Sequence, residues 1–97
     1  MKGPAPFSYV EALRNDPHYV YRLYDAEGDL LYIGCTVSPR QRRHGHMQSS
    51  PWFKDVDTFR LTIYPNRPHA MRVEREAIYT EDPRYNVHGR RLWVVPA

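Results

Sequence analysis

The chain has 97 residues, which limits it to one domain built on one modest core. Fourteen Lys and Arg against eleven Asp and Glu leave a net charge of +3, and every cation except Lys2 and Lys54 is arginine, the side chain suited to bidentate phosphate contacts. A single cysteine, Cys35, excludes an internal disulfide or a multi-cysteine metal site, and no stretch nears the ~20 apolar residues of a membrane span or makes a signal-peptide core, so a reducing, cytoplasmic setting without a membrane partner is expected.

Gly3-Pro4-Ala5-Pro6 is a breaker-rich leader, and Ser8 with Glu11 forms a capping box for a short helix over 9–15, closed by Asp16-Pro17. Residues 19–24 and 30–35 are β-rich and flank Asp25-Ala26-Glu27-Gly28-Asp29, a connection of hairpin length. Pairing Tyr24 with Asp29 sets Tyr21 across from Tyr32, both rings on one face, unless a bulge intervenes. Ser38-Pro39-Arg40-Gln41 places serine at the N-cap, proline first and glutamine third, predicting a helix over 39–48 with little apolar surface and with Arg42 and His46 one turn apart. Ser49-Ser50-Pro51 breaks it, and Trp52 and Phe53 are expected to plug the loop that follows. Residues 58–64 alternate, with Phe59, Leu61 and Ile63 on one side, as a half-buried strand does. Asn66 can cap a helix over 67–81 whose stripe is Ala70, Val73, Ala77 and Ile78. Pro83 ends it, and a basic tail with Arg90, Arg91 and Trp93 closes the chain. The domain therefore spans 18–88, between the leader with its helix (1–17) and the tail (89–97).

Glu74 falls within the apolar stripe, between Ala77 and Ile78 on the wheel, whereas Glu76 projects with Arg72 and Arg75 from the solvated face. A carboxylate so placed is costly to bury unless paired, protonated or metal-bound, and a hard cation needs only one or two protein carboxylates; the ordinary alternative is a glutamate that snorkels from the stripe's edge. Arg42 is either a surface arginine or a two-pronged grip on phosphate oxygens where charge accumulates during attack. His46 can reach a tyrosine or a phosphate. The other histidines, His18, His44, His69 and His88, show no such placement. Tyr21 and Tyr32 are either packing aromatics or hydroxyls able to take a proton from water, and Asn86, after Pro83-Arg84-Tyr85, is either a turn residue or part of the site. Cys35 has no placed activator and reads as a small hydrophobe.

Together these residues resemble the GIY-YIG endonuclease domain, the module found in excinuclease, in intron-homing endonucleases and in some restriction enzymes. Tyr19-Val20-Tyr21 stands at the first motif, with Tyr19 where the family has glycine, and Tyr32-Ile33-Gly34 is the second motif intact. Arg42, eight residues past Gly34, matches the family's arginine and His46 the histidine a turn later; Ala70 to Ile78 resembles the glutamate helix and Pro83-Arg84-Tyr85-Asn86 the asparagine segment of the excinuclease type. The resemblance implies an α+β fold, a three-stranded antiparallel sheet flanked by helices. It also implies a DNA endonuclease using one Mg²⁺ or Mn²⁺ on Glu74, with a catalytic set of Tyr21, Tyr32, Arg42, His46, Glu74 and Asn86. In that set Tyr21, slightly ahead of Tyr32, draws the proton from water, Arg42 stabilises the developing charge, His46 orients a tyrosine and Asn86 fixes the geometry.

With no second domain for target choice, recognition is expected from DNA structure, a partner protein or dimerisation. Two other readings compete: a non-catalytic nucleic-acid-binding module that stacks bases on its tyrosine strands, and an accessory domain that has lost activity. A carboxylate on the buried stripe argues against the first and the intact residue set against the second.

Overall fold

The computed structural model describes residues 16–86; the short helix over 9–15 and the basic tail lie outside them. The elements run β1 (His18–Tyr24), β2 (Leu30–Thr36), α1 (Pro39–Ser49), a 3₁₀ turn (Pro51–Asp55), β3 (Thr58–Tyr64) and α2 (Arg67–Glu81). Each expected element within 16–86 forms, giving an α+β fold whose antiparallel sheet has the order β2-β1-β3.

The hairpin closes through Asp25, whose N–H bonds the Asp29 carbonyl and whose carboxylate accepts from the N–H groups of Glu27 and Asp29. Gly28 takes φ +89°, a left-handed conformation that a side chain would strain. Just beyond, the register shifts between Leu23 and Tyr24. This corrects the expected pairing: Tyr21 sits opposite Gly34, and Tyr32 opposite Leu23. The error is two residues, a whole pleat period, so Tyr21 and Tyr32 still share a face. Their rings stack with centroids 6.0 Å apart.

The two faces of the sheet have different fillings. On one, Val20 and Ile33 pack against Ala70, Ala77 and Ile78 of α2, with Val73 beside them, and each fully buried Val or Ile contributes about 1.5–3 kcal/mol. The Asn66 side chain accepts from the His69 N–H to start α2, and Asp82, left-handed at φ 50°, ends it. On the other face Phe59, Tyr21, Tyr32, Trp52 and Tyr85 form a continuous run of stacked rings with centroids 5.2–6.0 Å apart. Trp52 thus joins this stack rather than simply closing a loop. α1 leans on that stack through His46, its one buried residue.

Two expectations need correction. β3 is an edge strand with little above its apolar side, so Leu61 and Ile63 are 44% and 56% exposed rather than half-buried. Ser38 begins α1 without a side-chain cap; Pro39 at the first turn fixes the start, and the Ser38 N–H is taken by Thr36 Oγ1.

Gly34 shows why the strand needs glycine there. The phenol of buried Tyr21 lies directly over it, and a Cβ would overlap Tyr21 Cζ and Oη. Gly34→Ala is therefore expected to push the Tyr21 ring from its place and cost about 1–3 kcal/mol of stability, as overpacking does. A melting curve unchanged from that of the parent protein would contradict this placement of the ring.

Candidate active site

The alternation of β1 turns Tyr21 toward α1, and the four-residue spacing of Arg42 and His46 brings both onto its hydroxyl. Arg42 Nε–H donates to Tyr21 Oη at 3.2 Å, and His46 Nε2 lies 2.9 Å from the same oxygen. His46 Nδ1 is 2.9 Å from Ser50 Oγ. Guanidinium only donates, so the Tyr21 oxygen accepts from Arg42, and its one proton is best assigned to His46 Nε2. The imidazole is then neutral with its own proton on Nδ1, donated to Ser50.

Electrostatics agree with that assignment. Burial raises the Tyr21 phenol well above its usual 10.0, and the hydrogen bond from Arg42 offsets only part of the rise. Burial and the Arg42 charge hold His46 below its usual 6.5. Neutral His46 favours the fold above pH 6.5, and this contribution is lost as pH falls below that value through the lowered folded-state pKa. An NMR titration of the His46 ring should find its midpoint below 6.5, with loss of the Tyr21 contact on protonation; a midpoint at or above 6.5 contradicts the neutral assignment.

Glu74 projects from α2 at the far end of β2, beside a groove of about 380 Å³ that is also lined by His18, Cys35, Thr36, Arg67 and Met71. Burial raises its carboxyl above the usual 4.5 against the pull of Arg75 and Arg42, and its charge acts in turn on Tyr21. Among the described residues it accepts no hydrogen bond and makes no ion pair. A half-buried carboxylate left without partners and facing a groove suits a hard cation that fills its remaining positions with water and phosphate. No cluster of three or more His, Cys, Asp or Glu accompanies it among the described residues. Glu76 is exposed, as its place on the helical wheel requires.

Tyr32 lies beside Tyr21 and packs edge-on against His46 at 4.9 Å. Asn86 is on the other side of β2. Its Oδ1 accepts from Ile33 N–H at 2.9 Å and its Nδ2 donates to Ile33 O at 2.8 Å, pairing with the free edge of the strand next to Tyr32. The neighbouring Arg84 and Tyr85 N–H groups bond Leu30 and Leu31 carbonyls along the same edge. Tyr21, Tyr32, Arg42 and His46 are therefore gathered in one cluster, Glu74 acts on Tyr21 and Arg42 through its field, and Asn86 holds the backbone that carries Tyr32.

Ser50 and Phe59 join the site without being expected there. Ser50 reads in the sequence only as a helix breaker, although its position four residues after His46 is the spacing that lets the two meet. Phe59, placed on a strand face, stacks on Tyr21 at 5.6 Å with the planes 5° apart. His18 is buried and lines the Glu74 groove, with Nδ1 near the Asp16 carbonyl at 2.9 Å.

Residues 17–86 match the GIY-YIG catalytic domain. The chain belongs to this family of nuclease catalytic domains. It is 30% identical to UvrABC system protein C of Neisseria gonorrhoeae over 89% of its own length and 15% of that protein's. It is 28% identical to the protein of the same name from Saccharopolyspora erythraea over 93% of this chain and 14% of the other. The chain thus spans about one seventh of the curated relatives it matches. No solved structure matches it significantly. No helix among the described residues is long and apolar enough to cross a membrane.

Proposed function

We propose that this chain acts by itself as a DNA endonuclease that hydrolyses phosphodiester bonds with one Mg²⁺ or Mn²⁺ held by Glu74. We place it in the cytoplasm and assign its target choice to DNA structure, a partner protein or a homodimer. The observation that carries this reading is the Tyr21 hydroxyl set between the Arg42 guanidinium and His46 Nε2, with an unpartnered carboxylate near enough to act on it electrostatically.

The raised Tyr21 pKa shapes the chemistry. A free phenolate is scarce at neutral pH, so Tyr21 takes the proton of the attacking water as it passes its own to His46 Nε2. Neutral His46 is the form able to receive it, and Ser50 holds the ring in that orientation. Arg42 meets the non-bridging oxygens on which charge accumulates. Asn86 keeps Tyr32 and β2 in place. When bound, the divalent ion supplies Lewis-acid stabilisation of the same phosphate group.

The non-catalytic stacking module fits less well, because Tyr21 is fully buried and its ring is covered by Tyr32 and Phe59. Incubation with plasmid, branched and single-stranded DNA, with and without Mg²⁺, tests the proposal: cutting should require the ion. Arg42→Ala should slow it by about 10²-fold or more with much less change in DNA affinity. Metal-independent cutting refutes the mechanism. If affinity collapses and saturating protein restores the full rate, Arg42 serves binding only.

A further inference from the structure

Charge is segregated along this chain. Between Asp29 and Asp55, and again between Asp57 and Glu74, there is no acidic residue, and these stretches carry Arg40, Arg42, Arg43, Arg60, Arg67 and Arg72. The acids gather at the hairpin-turn end, where Asp25, Glu27, Asp55 and Asp57 line one groove. Arg40, Arg42 and Arg43 lie on α1, which carries no acid, whereas Arg67 and Arg72 share α2 with Glu74, Glu76 and Glu81, and Lys54 and Arg84 at the turn are paired with its acids; a polyanion is therefore drawn most to α1.

On the α1 side a groove of about 380 Å³ is lined by Pro39, Arg40, Arg43, Phe59 and Leu61. Its floor is apolar, with Leu61 44% exposed, and its walls carry two cations. Arg43 already lies over the Phe59 ring at 5.9 Å, and Phe59 in turn stacks on Tyr21. Paired DNA presents phosphates and sugars to such a groove and rewards the arginines alone. An unpaired nucleotide offers a flat π surface to Phe59, Leu61 and the Arg43 guanidinium while its phosphates meet the arginines.

We infer that the groove between α1 and β3 binds an unpaired nucleobase next to the scissile phosphate, making the substrate a DNA strand that is locally unstacked. That the neighbouring phosphate is the scissile one rests on the proposed nuclease activity; the groove's own preference is measured without cleavage. One ring separates the groove from the Tyr21 hydroxyl that Arg42 and His46 hold. A base stacked on the Arg43 guanidinium and against Leu61, at the edge of Phe59, has its flanking phosphate on the side of the neighbouring Arg42.

The test measures affinity of the whole chain, in chelator, for a DNA hairpin with one unpaired 2-aminopurine and for its fully paired counterpart at the same salt. The unpaired form should bind about tenfold tighter, the scale of one base stacked on an aromatic ring, with its fluorescence quenched on binding. Leu61→Ser, a change at an exposed edge position, should remove most of that difference and leave the paired hairpin's affinity nearly unchanged. Equal affinities, or a preference that Leu61→Ser does not alter, overturn the inference. So does a dimer that Leu61→Ser converts to monomer, since the patch then belongs to a second copy. Adding Mg²⁺ separates the two readings. Cutting without any unpaired-base preference leaves the nuclease and removes the groove, whereas a Leu61-dependent preference without cutting keeps the groove as a base site and removes the nuclease.

Discussion

Glu74→Ala is expected to abolish metal-dependent cleavage, and Glu76→Ala, two residues on, to leave it nearly intact. The contrast follows from the helix: Glu74 is half-buried at the groove by the end of β2, within electrostatic reach of Tyr21 and Arg42 and without a hydrogen bond or ion pair among the described residues, whereas Glu76 is in solvent. Stability should move differently from activity. Because the folded-state pKa of Glu74 is raised above 4.5, protonation favours the fold, and the group's contribution, present below that pH, is lost as pH rises through the raised value. At neutral pH the ionised carboxylate is a burden, so Glu74→Gln should melt at the same temperature as the parent protein or higher. An ion bound at this site reverses the balance. Mg²⁺ at about ten times its dissociation constant stabilises the folded protein by about 1.4 kcal/mol, a rise of several degrees for a domain this small. That rise should be seen in the parent protein and be missing in Glu74→Ala. Equal loss of cleavage at positions 74 and 76 contradicts the helical register, and an equal Mg²⁺-dependent rise in both proteins places the ion elsewhere.

Much of this site was legible in the sequence because it rests on local rules. The four-residue spacing that puts Arg42 and His46 on one helix face, and the wheel that separates Glu74 from Glu76, hold wherever a helix forms. The register shift between the Leu23–Tyr32 and Tyr24–Leu30 pairs was not legible, because a hairpin of five connecting residues can close in more than one register and the choice depends on how Asp25 satisfies the backbone around Gly28. The functional face survived that error only because the slip was even. Alternation along residues 58–64 indicated a strand but not what would cover it, since strand order is a long-range property; β3 falls at an edge and its Leu61 and Ile63 stay exposed. The bond from Asn86 to Ile33, between residues 53 positions apart, was equally beyond local reading, and only the family resemblance drew attention to that asparagine.

Removing one hydroxyl should decide which tyrosine does the work: Tyr21→Phe is expected to slow cleavage by about 10²–10⁴-fold, the range of a lost general base, and Tyr32→Phe by much less. Both rings pack in the same aromatic stack, so each substitution keeps the stacking area and tests the oxygen alone. Tyr21 Oη has two polar partners, Arg42 Nε at 3.2 Å and His46 Nε2 at 2.9 Å, and thus both a charge to steady it and a base to receive its proton. Tyr32 also feels the Arg42 guanidinium, but it meets His46 ring to ring, without the hydrogen bond that would pass it a proton. The cost to stability of Tyr21→Phe should be modest, about 1–3 kcal/mol, because the change orphans the Arg42 and His46 nitrogens without opening a cavity. Protonation of His46 would block the proposed relay, so cleavage by the parent protein should slow as pH falls below 6.5. Tyr21→Phe, already without the relay, should show a flatter acid limb in the same range. A larger loss from Tyr32→Phe than from Tyr21→Phe, or identical acid limbs in the parent and Tyr21→Phe, would overturn the assignment of the proton path to Tyr21 and His46.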